Sequence, residues 1–282
     1  MIPAPDVGLL IGMSVVLMRD DLETAAATIR DLGFEAIEVH LEHVGPGMAG
    51  VPIFERHAEA AGELVRRHGL RVGTLNAVAD RTFDPFGGPD PFDGTARAIA
   101  AQLRLTAAMG SPRLLIHEGR IAKADDVPRG SETLTRCLER ARQLSGLIDP
   151  PPISVECHPF TWALAHRRLP ELARALEPVG AGICLDLCHF AVALGPGFIS
   201  EIDHEVLEAI NHVHFADSDA RTSELHFPPG LGVLDLEDIA RVLAGRGLAI
   251  GWDLFGWPGP RGAIRATMPA YVAFIDACRA AA

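Results

Sequence analysis

Several features that commonly assign a protein to a class are missing from this chain. No apolar run approaches the ~20 residues of a transmembrane helix, and no basic segment precedes the first apolar stretch. No C-x-x-C pair is present, and the five cysteines are an odd number in a chain too large to need disulfides. These absences predict a cytoplasmic protein with reduced thiols, without a signal peptide and without a membrane span.

Positive charge is also scarce. Lysine and arginine total 25 against 37 acidic residues, which gives a formal net charge of -12. Binding to nucleic acid depends on cations that neutralise phosphates, so this balance argues against a nucleic-acid partner. The glycine pattern G-x-G-x-x-G, typical of dinucleotide-binding open sheets, does not follow the first predicted strand. A small molecule is therefore the expected partner, and the sequence leaves a homo-oligomer open.

The chain does have a regular alternation of predicted strands and helices. Eight strand–helix units follow one another along the 282 residues without a break in composition. Alternating units of this kind imply a parallel sheet, and eight of them imply that the sheet closes on itself. We therefore predict an α/β fold, a single (β/α)8 TIM barrel forming one domain over residues 1–282. An open doubly wound sheet is the alternative.

Four successive predicted strands end in side chains that commonly bind metal ions. These residues are Glu156, Asp186, His214 and Asp253, which lie 30, 28 and 39 positions apart. One strand with its helix and loops uses about that much chain in a barrel of ~250 residues, so the four side chains would meet at one end of the barrel. Carboxylates with an imidazole suit a divalent metal such as Mn²⁺, Co²⁺, Zn²⁺, Fe²⁺ or Mg²⁺. For any one of them alone, a structural hydrogen bond or salt bridge is the alternative.

Two further histidines lie near these strand ends. His189 follows Asp186 by three residues, and we interpret it as a substrate contact, with a second-metal ligand or a helix-start residue as alternatives. His226 precedes a glycine-rich turn, so its loop either closes over the site or leaves the histidine solvated.

Substrate identity is expected to depend on three long loops, 80–94, 119–130 and 216–232. Arg120 lies in the second of these loops and is predicted to bind substrate. Trp162, shortly after the fifth strand, is predicted to stack on a sugar ring, with ordinary packing as the alternative.

Five segments together resemble the xylose isomerase-like barrel superfamily. They are Gly33-Phe-Glu-Ala-Ile-Glu38, Glu156 at the end of strand five, Asp186-Leu-Cys-His189, His212-Val-His-Phe-Ala-Asp217 and His226-Phe-Pro-Pro-Gly-x-Gly232. That superfamily contains sugar isomerases and epimerases, inosose dehydratase and endonuclease IV. The resemblance spans nearly the whole chain and implies metal ligands at Glu156, Asp186 and His214. The fourth ligand of the family is normally a glutamate, where this chain has Asp253.

The resemblance to endonuclease IV includes further positions. The residues that match its multinuclear zinc pattern are His117, Glu156, Asp186, His189, His214 and His226. The residues that depart from it are Asn76, Glu224 and Asp253. His117, His226, Asn76 and Glu224 are therefore candidates for additional metal or substrate contacts. The three departures and the acidic net charge argue against DNA repair.

These observations predict a divalent-metal-dependent isomerase or epimerase that acts on a sugar, sugar phosphate or polyol. Glu156 would remove the proton next to the substrate carbonyl, and Asp253 would act across the substrate. His189 would hold a substrate oxygen, and the metal would stabilise the enediolate. The alternatives, in order, are a dehydratase of the inosose or dehydroshikimate type, an endonuclease IV-like zinc phosphodiesterase, and a noncatalytic sugar-binding barrel.

Overall fold

Eight parallel strands close into a barrel in the computed structural model of this chain, which describes residues 9–13, 20–45, 53–77, 91–121 and 123–280. The strands are β1 (Ile11–Met13), β2 (Ala36–His40), β3 (Arg71–Asn76), β4 (Leu114–His117), β5 (Ile153–Glu156), β6 (Gly182–Asp186), β7 (Ile210–Phe215) and β8 (Ala249–Trp252). Each strand pairs with the next, and β8 pairs with β1. The predicted (β/α)8 TIM barrel is confirmed, and the open sheet is excluded.

Helices cover the outside of the barrel. In the described residues they are α1 (Leu22–Asp31), α2 (Glu55–Arg67), α3 (Pro91–Met109), α4 (Val127–Ser145), α5 (Trp162–Ala165), α6 (Leu169–Leu176), α7 (Leu187–Leu194), α8 (His204–Ala209), α9 (Leu236–Leu243) and α10 (Pro260–Arg279). Their apolar faces pack on the outer side chains of the strands in one continuous core. None of these helices has the length and hydrophobicity of a membrane span.

Three helix starts differ from the sequence-based prediction. The sequence pattern predicts helices that start at Thr95, Ser131 and Arg265, with a serine cap at Ser131, but the helices begin at Pro91, Val127 and Pro260. Proline is favoured in the first helical turn because the N–H that it lacks has no partner there. The predicted loop 119–130 is therefore shorter, and Ser131 lies inside α4 instead of capping it. Residues 80–90 of the predicted loop 80–94 lie outside the described residues.

Two other local predictions are confirmed. Pro170 predicts a break or a restart in a helix over 162–176, and the segment forms two helices, α5 and α6, with Pro170 in the first turn of α6. Asp235 caps α9, because its Oδ1 accepts the N–H of Asp238 at 2.9 Å.

The strand register brings the ends of neighbouring strands to one level. His117 pairs with Glu156 across β4 and β5, and Asp186 pairs with His214 across β6 and β7. His214 in turn pairs with Gly251, just before Asp253. Side chains that are far apart in sequence therefore meet at the carboxyl-terminal mouth of the barrel, where active sites of this fold lie.

The seam between β1 and β8 is closed by a tyrosine of the last helix. Tyr271 is completely buried; its hydroxyl accepts the N–H of Ile11 at 3.1 Å and donates to the carbonyl of Ile250 at 2.6 Å. One side chain of α10 thus joins the first strand to the last.

Candidate active site

Three acidic side chains converge on one nitrogen of His214 at the barrel mouth. Glu156 Oε1 lies 3.2 Å from His214 Nδ1, Asp186 Oδ2 lies 3.6 Å from it, and Asp253 Oδ2 lies 4.0 Å from it. All four side chains are buried. The four residues predicted from strand ends are therefore together in space.

Asp253 is arranged differently from the other three. The ligand atoms of Glu156, Asp186 and His214 lie within 4.8 Å of one another, whereas Asp253 belongs to no such group of three in the described part of the chain. Asp253 Oδ2 lies 3.2 Å from His226 Nδ1, and its Oδ1 accepts the N–H of Phe255 at 2.8 Å. Asp253 therefore pairs with the loop histidine and lies at the edge of the compact group.

The compact group fits a divalent metal ion. Asp186 Oδ1 accepts the N–H of His189 at 2.8 Å and caps α7, but Asp186 Oδ2 and His189 Nδ1 have no hydrogen-bond partner among the described residues. Buried polar atoms without partners are costly, and a cation at this point would remove that cost. Two carboxylates and an imidazole are a donor set that suits Mn²⁺, Fe²⁺, Co²⁺ or Zn²⁺.

Electrostatics favour the same interpretation. Burial opposes ionisation of Asp186, but the imidazoles of His189 and His226 lower its pKa below the usual range. Burial also opposes a charge on His214, yet Cys184 and the neighbouring carboxylates raise the pKa of that histidine well above its usual value. The ionised carboxylates therefore favour positive charge at the position where the acidic oxygens meet.

Glu38 of β2 belongs to the site, although the sequence analysis assigned it no role. Its Oε1 accepts a hydrogen bond from Asn76 Nδ2 at 2.7 Å and lies 3.2 Å from His214 Nε2. Its Oε2 lies 2.9 Å from His212 Nε2. Glu38 thus contacts the ring nitrogen of His214 that faces away from Glu156. A signal was present in the sequence, because an acid within an apolar strand is costly unless it is paired.

A cavity of about 410 Å³ opens above these groups, a size that suits a small ligand. Its described lining includes the remaining candidates His117, Asn76, Arg120, His189, Glu224 and His226. Arg120 lies at the mouth with its guanidinium 4.7 Å from the centre of the Phe160 ring. Arg120 therefore lines the cavity, and its binding of substrate stays a prediction.

Trp162 does not line this cavity, which contradicts its predicted stacking on a sugar. Its side chain is completely buried at the start of α5, and its Nε1 donates to the carbonyl of Glu118 at 3.2 Å. Glu118 Oε1 also accepts the N–H of Ala163 at 3.3 Å. Trp162 and Glu118 together hold α5 against the end of β4. This role of Glu118 was not predicted from the sequence.

The loop after β7 carries Glu224 and His226 to the mouth of the cavity, and Asp217 organises it. The carboxylate of Asp217 accepts backbone N–H groups at 2.8–3.1 Å from Ser218, Gly230, Gly232 and Leu234. A Cβ atom at Gly232 would collide with Asp217, which explains the second glycine of the loop motif.

Backbone contacts determine which ring nitrogen of two histidines donates. Gly119 N–H donates to His117 Nδ1 at 2.9 Å, so the neutral ring carries its proton on Nε2. A ring nitrogen that carries a proton cannot bind a metal. His226 Nε2 lies 3.1 Å from the carbonyl oxygen of Ser223, which can only accept, so Nε2 donates and Nδ1 faces Asp253.

The family model described as xylose isomerase-like TIM barrel matches residues 26–270 of this chain. Three solved structures share its fold. A D-tagatose 3-epimerase-like protein has 16% identity and a TM-score of 0.72, over 95% of this chain and 98% of that chain. The probable 3-DHS dehydratase AsbF from Bacillus anthracis has 14% identity and a TM-score of 0.71, over 93% and 98%.

The third structure is endonuclease IV from Thermus thermophilus, with 20% identity and a TM-score of 0.63, over 95% of this chain and 99% of that chain. No match was found among curated protein sequences. The three structures span an epimerase-like protein, a dehydratase and a nuclease, so at these identities they establish the fold alone. The match to the family model covers most of the chain, which therefore belongs to the xylose isomerase-like TIM barrel family.

Proposed function

We propose that this chain is a divalent-metal-dependent isomerase or epimerase of a small keto-sugar or polyol. The proposal is supported above all by the convergence of Glu156, Asp186 and Asp253 on His214 Nδ1, at 3.2, 3.6 and 4.0 Å, beneath the cavity. Removal of a proton next to a carbonyl needs a base, here a carboxylate, and a positive charge that stabilises the enediolate. This arrangement offers both.

Each residue has a role in this reaction. When bound to Glu156, Asp186 and His214, a divalent ion would polarise the substrate carbonyl and acidify the adjacent C–H. Glu156 is the proposed base. Asp253, paired with His226, is the proposed partner that exchanges a proton across the substrate. His189 holds a substrate oxygen through its buried ring.

Two contacts favour a single ion over a multinuclear zinc site. Position 76 carries an amide, which donates to Glu38 at 2.7 Å. His117 accepts a backbone N–H through Nδ1, so its Nε2 donates to the cavity and does not bind an ion. The net charge of -12 also repels a polyanionic substrate. A phosphodiesterase is therefore a weaker proposal than an isomerase.

A dehydratase is the second candidate, and His158 favours it. Neither ring nitrogen of His158 has a hydrogen-bond partner among the described residues, and Nε2 lies 3.9 Å from Glu156 Oε2 in the cavity wall. Burial lowers the pKa of His158 well below its usual value, so the ring is uncharged at neutral pH. A second proton-transfer group beside the base suits a reaction that expels a hydroxyl group after deprotonation.

Hydrogen exchange tests the proposal directly. Keto-sugars and inososes incubated in D₂O with the metal-loaded protein should gain deuterium at the α-carbon of at least one compound, measured by NMR and mass spectrometry. Exchange should stop when the metal is removed and in Glu156→Gln. It should continue in the control Glu139→Gln, which alters an exposed glutamate of α4.

The products then separate the candidates. Exchange with formation of an isomeric sugar supports the isomerase or epimerase, whereas exchange with loss of water and a new ultraviolet absorbance supports the dehydratase. Cleavage of DNA at abasic sites, with no exchange on any sugar, would reject both and favour the nuclease.

A further inference from the structure

A series of buried hydrogen bonds leads from the start of β4 to His214. Arg113 Nη1 lies 3.3 Å from His212 Nδ1, and His212 Nε2 lies 2.9 Å from Glu38 Oε2. Glu38 Oε1 lies 3.2 Å from His214 Nε2. None of these four side chains is more than 4% exposed. Water therefore does not compete for these contacts.

Chemistry fixes the direction of each hydrogen bond in the series. A guanidinium group can only donate, so His212 Nδ1 accepts from Arg113. The single proton of a neutral His212 is then on Nε2, which donates to Glu38. An ionised carboxylate can only accept, so His214 Nε2 also donates to Glu38.

This direction has a consequence for the other nitrogen of His214. When a metal ion replaces the second proton of His214, a ring that donates through Nε2 coordinates the ion through Nδ1, the atom that lies beside Glu156 and Asp186. Histidines that bind metals generally donate their second N–H to a carboxylate, which fixes both the tautomer and the orientation of the ring. Glu38 occupies that position.

We propose that Arg113, His212 and Glu38 are positioning residues that fix the tautomer and orientation of His214 and thereby strengthen binding of the divalent ion. The inference rests on the proposed function in one respect, that His214 is a metal ligand. None of the three lines the cavity in the described part of the chain, so their effect on the ion passes through His214.

Metal affinity is the first test. The dissociation constant for Zn²⁺ is measured by competition with a chelating indicator, without substrate. Glu38→Gln should weaken binding about 10–100-fold, the range found for such carboxylate partners. Arg113→Met should weaken it by a smaller factor. Arg113→Lys should restore affinity, because lysine also only donates.

Thr74→Val is the matched control. Thr74 is a completely buried β3 residue, and its Oγ1 has no hydrogen-bond partner among the described residues. The substitution therefore removes a buried polar group of the barrel without altering the series, and Zn²⁺ affinity should not change.

The position of the protons is the second test. Long-range ¹H–¹⁵N spectra of the imidazole groups in the Zn²⁺-loaded protein should show protons on Nε2 of His212 and His214. In Arg113→Met, Nδ1 of His212 loses its donor and the nearby cation, so His212 should take a second proton on Nδ1 at a higher pH than in the wild type. A purely structural role for Arg113 would lower stability without adding this proton.

Either of two results would overturn the inference: a proton on Nδ1 of His212 in the wild type, or Glu38→Gln that binds Zn²⁺ as tightly as the wild type. If Glu38→Gln does not fold, the wild-type spectrum and the two Arg113 variants still show whether these residues position His214. A wild type that binds Zn²⁺ with these protons in place, but exchanges no α-proton of any sugar, would refute the proposed function and leave the positioning role supported.

Discussion

The two halves of the barrel contribute different chemistry to the same cavity. Strands β5–β8 bring Glu156, Asp186, His214 and Asp253, whose ligand atoms point at one another around His214 Nδ1. Strands β2–β4 bring side chains that are already engaged in hydrogen bonds. Asn76 donates to Glu38, and His117 accepts from its own loop.

This difference shows how one barrel separates the residues that bind the ion from the residues that hold His214 in place. The second half supplies the oxygens and the nitrogen that a divalent ion requires, and the first half determines how the central histidine is held. A variant of a proposed ligand in the second half should therefore abolish ion binding. Variants in the connecting loops should instead change the geometry of the cavity or the stability of the protein.

The largest expected effect comes from Asp186→Asn. Asparagine caps helices as well as aspartate does, so α7 should keep its start at Leu187 while the ion loses a charged ligand. We expect bound metal to fall from about one ion per chain to almost none, and turnover to fall by about a thousandfold. Elemental analysis and α-proton exchange measure the two effects.

Asp276→Asn is the control for this prediction, since it makes the same change at a position of α10 that is far in sequence from the site and 62% exposed. Folding of both variants should match the wild type in the presence of a chelator. An Asp186→Asn protein that keeps its ion and its activity would show that Asp186 is not a ligand.

A smaller effect is expected from Asp217→Asn. The amide nitrogen would face backbone N–H groups that now donate to a carboxylate, so the loop should lose about 2 kcal/mol of local stability. Hydrogen exchange across 216–234 should accelerate, and kcat/KM should fall about tenfold because Glu224 and His226 are held less firmly.

Asp235→Asn provides the comparison for this loop. Asp235 only caps α9, and asparagine is an equally good cap. Amide hydrogen exchange across 216–234 and kcat/KM should therefore stay close to the wild-type values. Unchanged exchange of the loop in Asp217→Asn would show that its four hydrogen bonds are dispensable.

The smallest effect should appear in the stability of Glu118→Gln. Burial raises the pKa of Glu118 to about 8, above the ordinary 4.5, and Oε2 has no hydrogen-bond partner among the described residues. The folded chain thus keeps a proton that the unfolded chain releases, so this group makes the protein less stable as pH rises from about 4.5 to about 8.

Glutamine resembles the protonated acid and cannot ionise. The melting temperature of Glu118→Gln should equal that of the wild type near pH 4 and exceed it by several degrees near pH 8. Glu139→Gln, on the exposed face of α4, should keep the wild-type slope. Parallel pH profiles for Glu118→Gln and the wild type would refute the assignment.

Sequence reasoning succeeded where the signal is local. Asp186 ends an apolar strand and begins a helix, and this short pattern identifies both the element and the end of it that carries the side chain. The barrel followed from repetition of such units, because eight parallel strands with intervening helices can close. Register then brought Asp186 beside His214 without any further information.

Reasoning from sequence failed where the role of a side chain depends on distant partners. Glu38 contacts residues 38, 174 and 176 positions away, so its pairing is invisible in the strand that contains it. Trp162 follows a ligand-bearing strand, but its direction is set by the packing of α5 on Glu118. Asp217 acts on backbone groups up to 17 residues later.

The contact of Tyr271 with β1 and β8 bears on when the barrel closes during synthesis. Ile11 is synthesised before Tyr271, whose hydroxyl fixes it to β8 and which lies 260 positions later. The barrel therefore cannot close completely until synthesis has passed the last helix. Its mouth should acquire its final shape only then, so Glu156 and Asp186 would already be part of the nascent chain before the site can hold an ion firmly.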